Sequence, residues 1–389
     1  MSSSRPVALY VHFPFCLSIC PYCDFVVYAG RAAKGPDAQI DRFVQSLVGE
    51  IQLRAVAGSS LQSVYLGGGT PSLMSPRQLS GVLLAADDAF GLANDAEVTI
   101  EVNPGVSERG DLAGFRAAGV NRLSIGAQSL VTSELRRLGR RHSPADVAAT
   151  VVAARDAGFD NVSVDLLYDV PEQTIGSWRD SLRGTLQLRP DHVSAYALAL
   201  DPYAPSPDHV PVTRGADAWR VRARAQQDDD RAAQMYELAE DELARAGLNW
   251  YEISNWAHAG SESIHNQVYW RSEAWAAVGP GAHAFDGAAT RRWNDASLEG
   301  YLAALLRGAL PPGGDSRSDA ESAAAERTML ELRTAQGTRH EPANPAFTWG
   351  LVNGLLEQLA DRVRLTRRGR LLSNELFARL LPDRDTLAA

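Results

Sequence analysis

Six short apolar runs recur through the first half of the chain, each followed by a longer stretch with helical spacing. The runs occupy residues 9–13, 64–67, 98–102, 123–127, 162–167 and 193–200. The helical stretches fall at about 38–57, 76–89, 107–118, 144–158 and 174–187. This order predicts an α/β fold, with parallel strands joined by right-handed helical crossovers. Six strands fit an open, partial (β/α)6 barrel of the TIM type better than a closed one of eight. A doubly wound sheet is the rival. Gly58, Gly119 and Gly158 stand where helices should end, as glycine commonly does.

Past the sixth run, the Pro-rich residues 201–215 read as a loop. Residues 217–247 read as a charged helix, and 248–295 as an aromatic, irregular segment. Residues 311–320 read as a second loop. The tail turns helical from 323, then gives a strand, a turn, a short strand and a helix, which suggests a winged-helix-like unit. We expect three parts: a barrel over 1–205, a helical linker and aromatic-rich region over 206–310, and a smaller C-terminal α+β region over 311–389.

Charge and composition exclude several classes. The net charge of −9 supplies no global field for phosphate, so no nucleic-acid partner is expected. No apolar run is long enough to span a bilayer, and the first residues lack a secretory core. A cytoplasmic location follows as the expectation. Lys34 is the only lysine and is followed by Gly35, so no Walker A loop exists.

In parallel α/β folds, functional residues collect at the carboxyl ends of strands. Here the unusual residues fall there repeatedly. After the first run come Cys16, Cys20 and Cys23, the only cysteines, within eight residues. That is no disulfide framework; it looks like a set of metal ligands. Three thiolates are one short of a closed zinc site, which His12 could complete. They also suit a four-iron cluster with one iron left open. After the second run comes Gly67-Gly68-Gly69-Thr70-Pro71, a backbone that a ligand can approach closely. The third ends at Glu101 and the fourth at Gln128, while Asp165 lies within the fifth and Ala199 closes the sixth. Asp165 in an apolar strand would be costly unpaired, and a ribose diol would satisfy it as well as a cap or salt bridge. Arg140 could clamp a carboxylate or lie on the surface.

The cysteine spacing within CPYCDF resembles the radical S-adenosylmethionine (SAM) superfamily. GGGTPS, EVNP, IGAQS, LGRRH, VDLLYDVPEQT, YEISNWA, HNQVYW and GPGAH narrow the resemblance to the coproporphyrinogen III dehydrogenase-like group, and within it to the HemW-type branch of heme chaperones. It runs from about residue 9 to 377. It implies a radical SAM barrel with Cys16, Cys20 and Cys23 on a [4Fe–4S] cluster. Tyr10 and Tyr22 would flank SAM, and Gly68, Gly69 and Thr70 would meet its methionine end, with Glu101 close by. Arg140 would pair with its carboxylate, Gln128 and Asp165 would face the ribose, and Ala199 would touch it through backbone. The implied role is heme carriage to apo-proteins such as respiratory-chain cytochromes, with an electron donor needed if SAM is cleaved. Cluster assembly promoting homodimers is also implied, although no seam is legible.

The dehydrogenase itself is expected to carry a fourth cysteine two residues after the third, where this chain has Phe25. That argues against coproporphyrinogen decarboxylation. Asp169 and Val26 stand where relatives more often have glycine and asparagine. His265 in HNQVYW is the candidate axial heme ligand, since heme needs a ligand and a flat apolar wall. His283 is a second candidate, and a hydrogen-bonded core histidine is the alternative for both. Trp256, Trp270 and Trp275 could be wall or plain packing. Two other functions stay open: a radical SAM enzyme of porphyrin metabolism, and a zinc-stabilised binding protein.

Overall fold

The computed structural model describes residues 4–33, 39–200 and 216–382. The expected loop at 201–215 and the segment around Lys34 lie outside them. Strands occur at all six expected places: β1 (Ala8–Phe13), β2 (Leu61–Gly68), β3 (Leu92–Val102), β4 (Arg122–Gln128), β5 (Asn161–Tyr168) and β6 (His192–Ala197). Each pairs in parallel with the next in chain order.

That order decides between the two candidate architectures. A doubly wound sheet reverses its strand order at a switch point, whereas here the order runs without reversal from β1 to β6. Alternation along the strands says the same. Leu123, Ile125, Val162, Val164 and Val193 join the apolar core on one face of the sheet. Ser124, Asp165 and Ser194 point to the other face, into a polar interior. A sheet covered by helices on both faces would be apolar on both. One apolar and one polar face means one helix layer outside and a solvated bore inside.

The sheet is open, and later strands extend both edges. Strand β9 (Trp275–Val278) pairs in parallel with β1. Beyond it lie β10 (His283–Phe285), β11 (Thr290–Asn294) and β12 (Gly313–Arg317). At the other edge, β8 (Asn255–Ala257) pairs antiparallel with β6, and β7 (Asn249–Glu252) follows. The segment read as irregular therefore supplies five ordered strands, and the expected loop at 311–320 contains β12. These strands are only three to five residues long, too short for periodicity to register.

Helices α1 (Ile40–Leu53), α2 (Pro76–Phe90), α5 (Pro144–Asp156) and α6 (Ile175–Gln187) cover the apolar face. Capping boxes at Ser75, Ser143 and Thr174 start the last three. The helix expected over 107–118 shrinks to α3 (Leu112–Ala117), because Asp111 caps it from just outside. A short α4 (Thr132–Arg137) was not expected. The charged helix divides into α7 (Ala216–Arg224) and α8 (Asp229–Arg245), since Asp228 accepts from Arg231 N and starts a new N-terminus. Helix α9 (Ile264–Trp270) closes the amino-terminal end of the bore, and α10 (Leu298–Leu306) packs on α1.

The C-terminal part holds a three-stranded sheet of Thr338–Arg339, Arg362–Leu365 and Leu356–Leu359. Leu332, Phe347, Val363 and Leu376 form a small core of its own there. No described helix is long and apolar enough to cross a membrane.

Candidate functional site

The carboxyl ends of the six parallel strands open into one cavity of about 500 Å³. Cys16, Cys20, Cys23, Tyr22, Gly68, Gly69, Glu101, Gln128, Arg140, Asp165 and Ala199 all line it. Thr70 reaches the same site by donating to Cys16 Sγ at 3.4 Å. Residues separated by up to 183 positions thus meet because every strand delivers its end to one rim.

The glycine run is a packing requirement as well as a cradle. Gly68 has φ +105°, and a Cβ there would lie 2.4 Å from the His12 ring. A Cβ on Gly69 would lie 2.6 Å from the Phe15 carbonyl oxygen. In return, Gly69 N and Thr70 N donate to Phe13 O and Phe15 O, both at 2.8 Å. The glycine loop and the cysteine loop therefore fold as one unit.

A polar chain ties the thiols to the strand ends. Asn103 Nδ2 donates to Thr70 Oγ1 (2.9 Å), and Arg140 Nη2 donates to Asn103 Oδ1 (2.6 Å) and Gly126 O (2.8 Å). Arg140 Nη1 also donates to Cys20 Sγ at 3.7 Å. Burial pushes the Cys16 thiol up to about 12 and the Cys23 thiol to about 11. A cation must displace those protons, and donors already aimed at sulfur favour the resulting thiolates. Three thiols on one short loop, two of them already met by donors from Thr70 and Arg140, fit an iron–sulfur cluster.

His12 is not offered to the cysteines. Its Nε2 donates to Val26 O (2.7 Å), and its Nδ1 accepts from Tyr10 OH (3.0 Å). Burial lowers its pKa to about 4. Tyr10 accordingly lies one layer behind the cavity, stacked on Tyr65. Val26 anchors the cysteine loop through that carbonyl.

Gln128 ends β4 with φ +65°, after a register shift between Gly126 and Gln128. Both residues line the cavity, and strain of this kind concentrates at functional positions. Asp165 accepts from Ser124 Oγ (2.7 Å) and Ser163 Oγ (3.0 Å), which hold its carboxylate at the cavity wall. Burial still raises its pKa. Asp169 also adopts φ +55°, a conformation glycine takes more readily, and an Arg231 ion pair from α8 holds it there.

Burial raises Glu101 to about 7, against the pull of Tyr65 OH (2.9 Å) and Gly68 N (3.0 Å) donating to it. Folded Glu101 keeps its proton to higher pH than the unfolded glutamate, so between about pH 4.5 and 7 the folded state binds more protons. Ligand-free stability should fall as pH rises through that window, by about 3 kcal/mol at most. Glu101→Gln should flatten the slope, read as urea midpoints across the window.

His265 does not reach the cavity. Ser63 Oγ meets its Nδ1 (2.9 Å) and Tyr269 OH its Nε2 (2.7 Å), and burial lowers its pKa to about 3. Ligating an iron would mean breaking one of these bonds and leaving the barrel floor. The neighbouring Asn266 does line the cavity. His283 lies at the surface, stacked 5.9 Å from Trp293. Trp256 is core, its Nε1 donating to Glu240, and Trp270 lies under Arg333. Phe25 is 62% exposed on the rim. Tyr65, Ser124, Ser194 and Tyr196 also line the cavity, although no motif marks them in the sequence, and so does Asn103 of the EVNP motif, to which no role was assigned. Alternation within the strands puts them on one face but does not say which face lines a cavity.

Residues 10–183 match the Radical SAM superfamily. The chain is 37% identical to "Heme chaperone HemW" of Mycobacterium tuberculosis, over 97% of this chain and 95% of that protein. It is 31% identical to "Heme chaperone HemW" of Bacillus subtilis, over 96% and 99%. Its fold resembles that of coproporphyrinogen III oxidase (HemN) from Escherichia coli, with TM-score 0.78 and 22% identity, covering 97% and 91%.

Proposed function

We propose, since this chain belongs to the HemW-type family of the radical SAM superfamily, that it is a heme chaperone that also binds a [4Fe–4S] cluster and SAM. The observation that carries the cofactor part is the single cavity shared by the three cysteines and the five following strand ends. Cys16, Cys20 and Cys23 would hold the cluster. Gly68, Gly69, Glu101 and Arg140 suit the polar methionine end of SAM, and Gln128 and Asp165 suit its ribose, while Tyr22 and Ala199 frame the ligand. A bound cluster supplies one electron for reductive cleavage of SAM. The chain's own residues position the ligands: Arg140 links the thiols to Asn103, and Asp165 is set to accept from a diol.

The heme part is supported by the full-length likeness to proteins named as heme chaperones. Phe25 in place of a fourth cysteine supports carriage over coproporphyrinogen oxidation. The recipients would be heme-accepting apo-proteins such as respiratory-chain cytochromes, in the cytoplasm, with an electron donor where SAM is cleaved. Anaerobically reconstituted protein should retain near-stoichiometric heme after desalting, read in the Soret band. Heme retention unchanged in His265→Ala would remove that residue as the axial ligand. No retained heme, with an intact cluster, would shift the reading to a radical SAM enzyme of porphyrin metabolism.

A further inference from the structure

The floor of the cavity holds a charged group for which neither cluster nor SAM accounts. Arg122 opens β4, while Gln128, which closes it, stands at the mouth. Six residues of extended strand separate them by about 20 Å. Arg122 is 2% exposed, yet it lines the cavity. Among the described residues, its Nε has no hydrogen-bond partner. Glu97 Oε2 forms an ion pair with that Nε at 3.8 Å, too long for a hydrogen bond.

Glu97 is otherwise engaged. Its oxygens accept from Ile264 N (2.9 Å), His265 N (3.0 Å) and Ser263 Oγ (3.4 Å), where it caps α9. Asp165 is likewise bonded to Ser124 and Ser163. Thr99, beside Arg122 on β3, has a buried hydroxyl that also lacks a partner. A guanidinium whose Nε has an ion pair but no hydrogen bond in a desolvated site is costly unless a better acceptor meets it.

We infer that the lower lobe, lined by Arg122, Ser124, Ser194, Tyr65 and Asn266, is a binding site for a small carboxylate. A carboxylate matches the planar fork of arginine with two parallel hydrogen bonds. Two acids nearby, buried Glu97 and half-buried Asp165, disfavour a dianion, so the site prefers a monocarboxylate to phosphate. A ligand seated there lies beneath the SAM position in the same cavity. The inference does not depend on heme binding.

The test uses the full chain, titrated with ¹³C-labelled acetate and followed by saturation-transfer NMR, with inorganic phosphate as the second probe. Acetate should saturate one site and bind more tightly than phosphate. Arg122→Lys keeps the charge but loses the fork, and should weaken acetate binding by about tenfold or more. Asn266→Leu fills the lobe while leaving Arg122 untouched, and should abolish binding. No saturation by about 100 mM acetate, some two decades above a millimolar dissociation constant, would overturn the inference. So would wild-type affinity in both variants, and tighter binding of phosphate would overturn the carboxylate assignment.

Discussion

Cys20→Ala is expected to abolish iron–sulfur assembly outright while leaving the barrel folded. The side chain carries one of the three thiols on the cavity rim, and no other cysteine exists to replace it. Folding should survive, because Arg140, which donates to that sulfur, keeps its bonds to Asn103 and Gly126. The check is iron and sulfide content after anaerobic reconstitution, with circular dichroism as the folding control. Wild-type iron and sulfide in the variant would contradict the ligand assignment. Zinc in place of iron in the wild-type protein would favour a zinc-stabilised binding protein.

Glu50→Ala should produce the largest loss of stability. Glu50 on α1 is fully buried and joins four partners. Arg54 Nε (2.6 Å), Asn294 Nδ2 (2.8 Å), Gly279 N (2.8 Å) and Tyr301 OH (2.8 Å) all donate to it. Those partners come from the C-cap of α1, β11, the turn after β9, and α10. Removing the carboxylate takes an acceptor from the partly buried Arg54 guanidinium and from three further donors, at a cost of about 3–5 kcal/mol. That is a large fraction of the stability of an ordinary domain. Urea unfolding should show a markedly lower midpoint. Glu50→Gln, which keeps an acceptor oxygen, should lose less. A midpoint unchanged in Glu50→Ala would show that the added strands do not depend on this junction.

Both residues bear on what could be read from the chain. The six parallel strands were legible because each is an apolar run bounded by turn residues and separated by a helix-length segment. The cysteine loop and glycine run were legible because rare residue types cluster in sequence. Tyr65, Ser194 and Arg122 were not, because serine, tyrosine and arginine in a strand look the same whether they face solvent, a bore or a neighbour. Glu50 reads as one charge of an amphipathic helix until α10 and β11 close over it. His265 shows the limit most clearly. Its position among aromatics left an axial ligand and a hydrogen-bonded core histidine both open, and only the fold brings Ser63, 202 residues earlier, to one ring nitrogen and Tyr269 to the other.

The sequence by itself determined the parallel α/β class, the number of core strands and the loop that carries the thiols. These rest on local patterns: periodicity, helix caps and the clustering of cysteines. Tertiary structure alone decided which face of each strand lines the bore and how far the sheet extends past β1 and β6. It also decided which buried charges find partners. Those outcomes depend on pairings between distant segments, where burial makes a missing partner costly, and no local pattern records who that partner will be.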